Sequence, residues 1–178
     1  LIDDEEGVSN WIEFLHEHEN ASPCIQVYRG TEEAVRQQIS AFTEMDRPFL
    51  VRLTHGGGPG HDWSEIVDVV CQTDHSNFGF VIDFEWSKDL ISRIEWADRI
   101  VKRVVDLRGD GIPMCINGSS FPNSFTGIES GDMAPIVERL AFNNLVANNN
   151  QARLIYGDWA SSRPRGESIP IKHEIPPR

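Results

Sequence analysis

The chain has 178 residues, of which 39% are hydrophobic and 25% charged, with a net charge of −12. That is an ordinary globular balance, with enough length for one domain and a sizeable core, and it excludes a disordered chain. No apolar run approaches the ~18 residues of a membrane helix, and a surface this acidic argues against nucleic acid or anionic membrane as partner.

The first predicted element is a helix over Val8–Glu19, with Trp11, Ile12 and Leu15 as its apolar stripe and Ser9 as N-cap. Cys24–Tyr28 reads as a short strand. A helix opening at Thr31 with Glu32 and Glu33 carries Val35, Ile39 and Phe42 at helical spacing. The second strand is Phe49–Leu53, followed by a glycine-rich loop, His55–Gly60. Asp62 caps a third helix through Ile66, Val69 and Val70, and Phe80–Phe84 is the third strand. Ser87 opens the longest helix, which ends at Gly109-Asp110-Gly111. A fourth strand, Ile112–Ile116, precedes a long loop from Asn117 to Gly131. The last helix begins at Pro135, a favoured first-turn residue, and runs to Val146. Arg153–Tyr156 is the fifth strand and Ile169–Lys172 a sixth candidate, before a linker-like tail over 175–178.

Strand starts recur at a spacing near the ~30 residues of a βαβ unit. Such alternation implies an α/β fold with a mostly parallel sheet. The expected architecture is a (β/α) barrel-like fold of about six strands, incomplete because a whole barrel takes at least ~200 residues. A doubly wound parallel sheet is the alternative. The chain starts Leu1-Ile2-Asp3-Asp4-Glu5-Glu6, without an initiator Met and unlike a secretory signal. It reads as a single cytoplasmic domain, 1–178, with a fragment of a longer chain left open.

Three widely spaced cysteines, Cys24, Cys71 and Cys115, read as reduced thiols rather than a disulfide framework or a zinc site. The acidity is uneven. Residues 151–178 carry a net +2 and residues 1–150 a net −14.

In either architecture, sites form where the parallel strands end. Those ends carry Arg29, Arg52, Asp83 with Glu85, Asn117 with Ser119, and Asp158 with Trp159. Arg29 and Arg52 suit an anion, because a guanidinium matches phosphate or carboxylate bidentately. Asp83 and Asp158 are the candidate catalytic or acid–base groups. With Glu85 they offer oxygen ligands for a hard cation such as magnesium. The opposing reading is that Arg52 pairs with Asp83 across neighbouring strands and only holds the mouth together. His55, His61, His75 and His173 are acid–base candidates, but no His pairs with a Ser or Cys at a nucleophile's spacing. The loop Gly56-Gly57-Gly58-Pro59-Gly60 is not a Walker or dinucleotide motif. Trp86, Trp96 and Trp159 read more readily as core or rim than as a stacking platform.

The segment Gly118-Ser119-Ser120-Phe121-Pro122-Asn123-Ser124, then Pro135 and Glu138, then Tyr156-Gly157-Asp158-Trp159, resembles the beta protein family of phages and bacteria. Tyr156 stands where the family has Phe and Trp159 where it has Tyr. The Arg expected before the helical Glu is absent, since Ile136 and Val137 lie between Pro135 and Glu138. Tyr28-Arg29, Val51-Arg52 and Ile82-Asp83 are similar to the family's other strand ends. The resemblance spans roughly residues 24 to 175, in a family whose members are longer. It implies a barrel-like α/β fold and points to Arg29, Arg52, Asp83, Phe121, Pro122, Gly157 and Asp158, without implying a reaction.

Two functions are therefore expected. The first is a phage- or mobile-element-associated interaction protein that binds a protein partner through its acidic face. The second is an enzyme or binder of an anionic or phosphorylated small molecule at the strand ends.

Overall fold

The computed structural model of the chain describes residues 9–27, 32–55, 63–86, 90–119 and 136–158, Trp86 by its backbone alone. In chain order the elements are α1 (Ser9–Glu17), β1 (Cys24–Ile25), α2 (Glu32–Glu44), β2 (Phe49–Thr54), α3 (Trp63–Cys71), β3 (Phe78–Trp86), α4 (Leu90–Arg108), β4 (Met114–Ser119), α5 (Val137–Asn148) and β5 (Leu154–Tyr156). The predicted alternation is present. The sixth strand candidate, residues 56–60 of the glycine-rich loop and the tail lie outside the described residues.

Local chemistry sets several boundaries. Glu32 and Glu33 lie in the first turn of α2, where carboxylates suit the positive end of the helix, and Glu32 holds Arg36 one turn on. Gly109 ends α4 in the left-handed region, with φ of 74°, and its N–H bonds Val105 O. β4 lies further along the chain than its apolar run suggests. Pro113 has no N–H to give, so pairing starts at Met114 and runs through Asn117, Gly118 and Ser119. The polar start of the expected loop is thus the end of a strand.

All five strands are parallel, in the order β1-β2-β3-β4-β5. The order never reverses, as a doubly wound sheet requires. Each strand is added beside the last, as in consecutive units of a (β/α) barrel. The sheet is not closed: among the described residues β1 and β5 are its edges. Right-handed crossovers that always step the same way place their helices on one side of a sheet. Accordingly α2 packs on α3, α3 on α4 and α4 on α5.

The core fills the space between sheet and helices. Phe49, Val51 and Leu53 of β2, Phe80 and Ile82 of β3, and Met114 and Ile116 of β4 alternate into it, meeting Ile39, Phe42, Val67, Val70, Ala97 and Val101. The intervening residues, Leu50, Arg52, Val81, Asp83, Cys115 and Asn117, face the other side. Arg47 ties α1 to the strand layer, donating to the carbonyls of Leu15 (2.8 Å), Glu19 (3.1 Å) and Ala21.

Candidate functional site

At the C-terminal ends of the strands, register aligns Thr54 with Asp83 and Asp83 with Asn117. Asp83 has no exposed surface, yet it lies on the sheet face away from the helices. A buried carboxylate needs partners, and both of its oxygens have them. Oδ2 accepts from Arg52 Nε at 2.9 Å and Nη2 at 2.6 Å, and Oδ1 accepts from the Glu85 backbone N–H at 2.8 Å. The cross-strand pairing of Arg52 with Asp83 is therefore formed. Its guanidinium is held along one edge while its side chain stays 42% exposed.

The hydrogen bond to Glu85 sits in an irregular stretch. Glu85 has φ of 54°, in the left-handed region, and register slips between Asp83 and Trp86. Such bulges re-aim side chains, and they concentrate at barrel rims and next to sites. Arg93 of α4 braces the stretch by donating to Phe84 O at 3.0 Å.

On the far side of Asp83 the ends of β4 and β5 close together at Gly157. Its N–H bonds Ile116 O at 2.9 Å. A β-carbon there would lie 2.7 Å from Cys115 Sγ and 3.1 Å from Asn117 Oδ1. Glycine is thus what lets β5 approach. Just beyond, burial raises the Tyr156 hydroxyl pKa, helped by the nearby Asp158 and Glu138 carboxylates and by its hydrogen bond to Asp158. Arg139 lies over the Tyr156 ring at 4.7 Å.

At the first strand, Gln38 of α2 is fully buried. Its Oε1 accepts from Gln26 N–H at 2.8 Å and its Nε2 donates to Gln26 O at 3.1 Å. It holds the backbone three residues before Arg29 as a strand neighbour would.

Of the expected site residues, Arg52, Asp83, Glu85, Asn117, Ser119 and Asp158 fall at the ends of β2 to β5. Arg29, Phe121 and Trp159 lie outside the described residues, as do His61 and His173. Sequence reasoning missed Gln38, whose amide pattern has no sequence signal. It also missed Cys115 and Tyr156 as site neighbours, although their strand positions were on the page. Glu138 entered only through the resemblance; its Oε2 is buried without a hydrogen-bond partner.

Among the described residues no three His, Cys, Asp or Glu side chains are grouped to hold a metal ion, so Asp83, Glu85 and Asp158 do not form the expected ligand set. His75 stacks on Phe49 at 5.3 Å and His55 meets buried Trp96 edge-on at 5.3 Å, both as packing partners. All three cysteines are free thiols. Their pKa values are raised, in each case chiefly by burial, Cys71 to about 11. A cavity of about 370 Å³ opens elsewhere, between α3 and α4, and none of the expected residues lines it. Among the described residues no helix is long and apolar enough to cross a membrane.

Comparison with curated proteins and with solved structures finds no match. The family model described as Beta protein does match, over residues 3–178, essentially the whole chain, and the protein belongs to the Beta protein family.

Proposed function

We propose that this domain binds a small ligand carrying a phosphate or carboxylate at the C-terminal ends of its strands, with Arg52 holding the anion. The observation that carries this reading is the Arg52 guanidinium, fixed along one edge by the buried Asp83 carboxylate and still 42% exposed. An arginine already ordered loses little further entropy when a ligand arrives, and its planar fork matches both anions. Arg29, which follows β1 in the sequence and lies outside the described residues, is the residue we assign as the second anion contact. Asp83 acts here through Arg52, as a positioning residue. Asp158, exposed and hydrogen-bonded to Tyr156, is the carboxylate we assign to the ligand's polar groups. Glu85, Asn117 and Ser119 lie at the same strand ends, and we assign Phe121 and Trp159, outside the described residues, to the same site. Magnesium, if used, arrives with the ligand's phosphate.

A thermal-shift panel of inorganic phosphate, nucleotides, sugar phosphates and carboxylates, with and without magnesium, tests this. A ligand at about 100 times its dissociation constant adds about 2.7 kcal/mol, or roughly 5–10 °C for a domain this size. The shift is expected to vanish in Arg52→Lys, which keeps the charge but not the fork. A cooperatively unfolding protein that no anion stabilises would rule the reading out.

A protein-interaction role is the second reading, and the phage or mobile-element association suggested by the resemblance belongs with it. Ile136 and Leu140, one turn apart at the start of α5, are each 58% exposed, an apolar pair on a chain of net charge −12. A partner held through the acidic surface must dissociate steeply as salt rises. A complex indifferent to salt would exclude that mode.

A further inference from the structure

The cavity of about 370 Å³ between α3 and α4 lies apart from the strand ends, and its volume is in the range of small-molecule sites. Among the described residues its lining comes from those two helices alone. Val67 of α3 and Trp96 and Ile100 of α4 are the buried part of that lining. Trp96 is fixed edge-on against His55. Half-buried Trp63 and exposed Ser64, Arg99 and Arg103 surround them. An apolar base with a few polar groups about it is the make-up of a ligand pocket.

The two arginines are not alike. Arg103 spans the helices to Asp68 with two parallel hydrogen bonds, Nε to Oδ1 at 2.7 Å and Nη2 to Oδ2 at 2.8 Å. That fork ties α3 to α4 beside the cavity and cancels the Arg103 charge. Arg99, one turn earlier on the same face of α4, has no hydrogen bond or ion pair among the described residues. The lining is left with one positive charge, on a chain whose net charge is −12.

We propose that this cavity is a second ligand site and that it takes a small aromatic carboxylate, with the ring against Trp63, Trp96 and Ile100 and the carboxylate on Arg99. The charge count selects a monoanion. A doubly charged phosphate would leave one charge unmet close to Asp68, where like charges repel. The indoles select the ring. An aromatic body on two tryptophans removes apolar surface from water on both partners and gains the ring contacts besides. A guanidinium then receives the carboxylate in its own plane. None of these contacts involves Arg52 or Asp83, so the inference stands or falls separately from the strand-end site.

Isothermal titration calorimetry of the 178-residue chain with 2-naphthoate tests it. A ligand of that size is expected to bind with a dissociation constant of about 1 mM or lower. Replacing the carboxylate by a hydroxyl, in 2-naphthylmethanol, should weaken binding at least roughly tenfold, and Arg99→Gln should weaken naphthoate binding as much. Ser64→Trp, which brings a ring of the chain's own into the cavity from an exposed position, should abolish it. Lys102→Gln removes the same charge from α4 at a residue outside the lining, paired with Asp98, and should change nothing. Arg52→Lys should also bind as the parent does. No binding to the folded parent, equal binding of the alcohol, or full binding by folded Arg99→Gln would each overturn the proposal. Binding lost in Arg52→Lys and kept in Arg99→Gln would overturn it too, and assign the carboxylate to the strand ends. Should Ser64→Trp fail to fold by circular dichroism, Arg99→Gln against Lys102→Gln decides.

Discussion

Arg52 and Asp83 lie diagonally across neighbouring parallel strands and meet through one carboxylate oxygen, Nε at 2.9 Å and Nη2 at 2.6 Å from Oδ2. The arginine is half-exposed and the aspartate wholly buried. The two substitutions are therefore unequal. Asp83→Ala leaves an arginine that reaches water, while Arg52→Ala takes the cationic partner from a wholly buried carboxylate. Hydrogen bonds to charged groups contribute about 1.5–3 kcal/mol, and Arg52→Ala is expected to cost at least that in chemical denaturation. Arg52→Lys should recover most of the stability but not the anion-dependent thermal shift. If Arg52→Lys retains the full shift, the fork is not what reads the ligand.

Glu85 occupies the left-handed region at φ of 54°, held there by the Asp83 side chain. Such a conformation costs a non-glycine residue about 1–3 kcal/mol. Glycine relieves that and gives back part through the entropy of its unfolded chain. Glu85→Gly is expected to stabilise the domain by about 1 kcal/mol, whereas the β-branched Glu85→Val should destabilise it. Urea midpoints check both. A glycine variant weaker than the parent would mean that the Glu85 side chain contributes more than its backbone strain costs.

Much of the fold was legible because apolar spacing carries it. Val35, Ile39 and Phe42 on α2 are buried as their period requires. The alternation of strands and helices dictated a parallel sheet. What spacing could not decide was barrel-type against doubly wound order, since strand neighbours are a tertiary choice. Nor could it see that Asn117, Gly118 and Ser119 extend β4. Their polarity reads as loop, but a β-carbon at Gly118 would lie 3.3 Å from Phe84 Cβ and 3.4 Å from Glu138 Cβ, a packed position rather than a solvated one. The site was half legible. Arginine and aspartate at strand ends marked its position. The single-oxygen grip and the bulge at Glu85 depend on register, which no sequence pattern printed.

Gly157 offers a test of how the mouth closes. A methyl group there would sit 2.7 Å from Cys115 Sγ, closer than real contacts allow. Gly157→Ala is expected to cost about 1–3 kcal/mol, as overpacking does. Cys115→Ala removes the obstructing sulfur, so the double variant should recover a large part of that loss. Residues in contact couple in this way and distant ones add. Strict additivity in thermal unfolding would show that β5 does not approach Cys115 so closely.

The thiols give the pH dependence. Burial raises the Cys71 pKa from 9.0 to about 11, the dominant cause, with Arg108 pulling it down and Asp68 pushing it up. Cys24, Cys115 and Tyr156 are raised too, chiefly by burial. Folding therefore favours the protonated forms, and above pH 9 the folded state binds more protons than the unfolded one. Stability falls with pH wherever that holds. The contribution from Cys71 is intact below its unfolded pKa near 9 and is lost as pH climbs through about 11. Denaturation midpoints should be flat from neutral pH to about 8.5 and then decline. Cys71→Ala should show a shallower decline, because one of the raised groups is gone, at the cost of a small cavity. In the native state at pH 8 all three thiols should react with a thiol reagent far more slowly than in urea, since the thiolate is the nucleophile. Rapid native labelling of Cys71 would contradict its burial at 4% exposure.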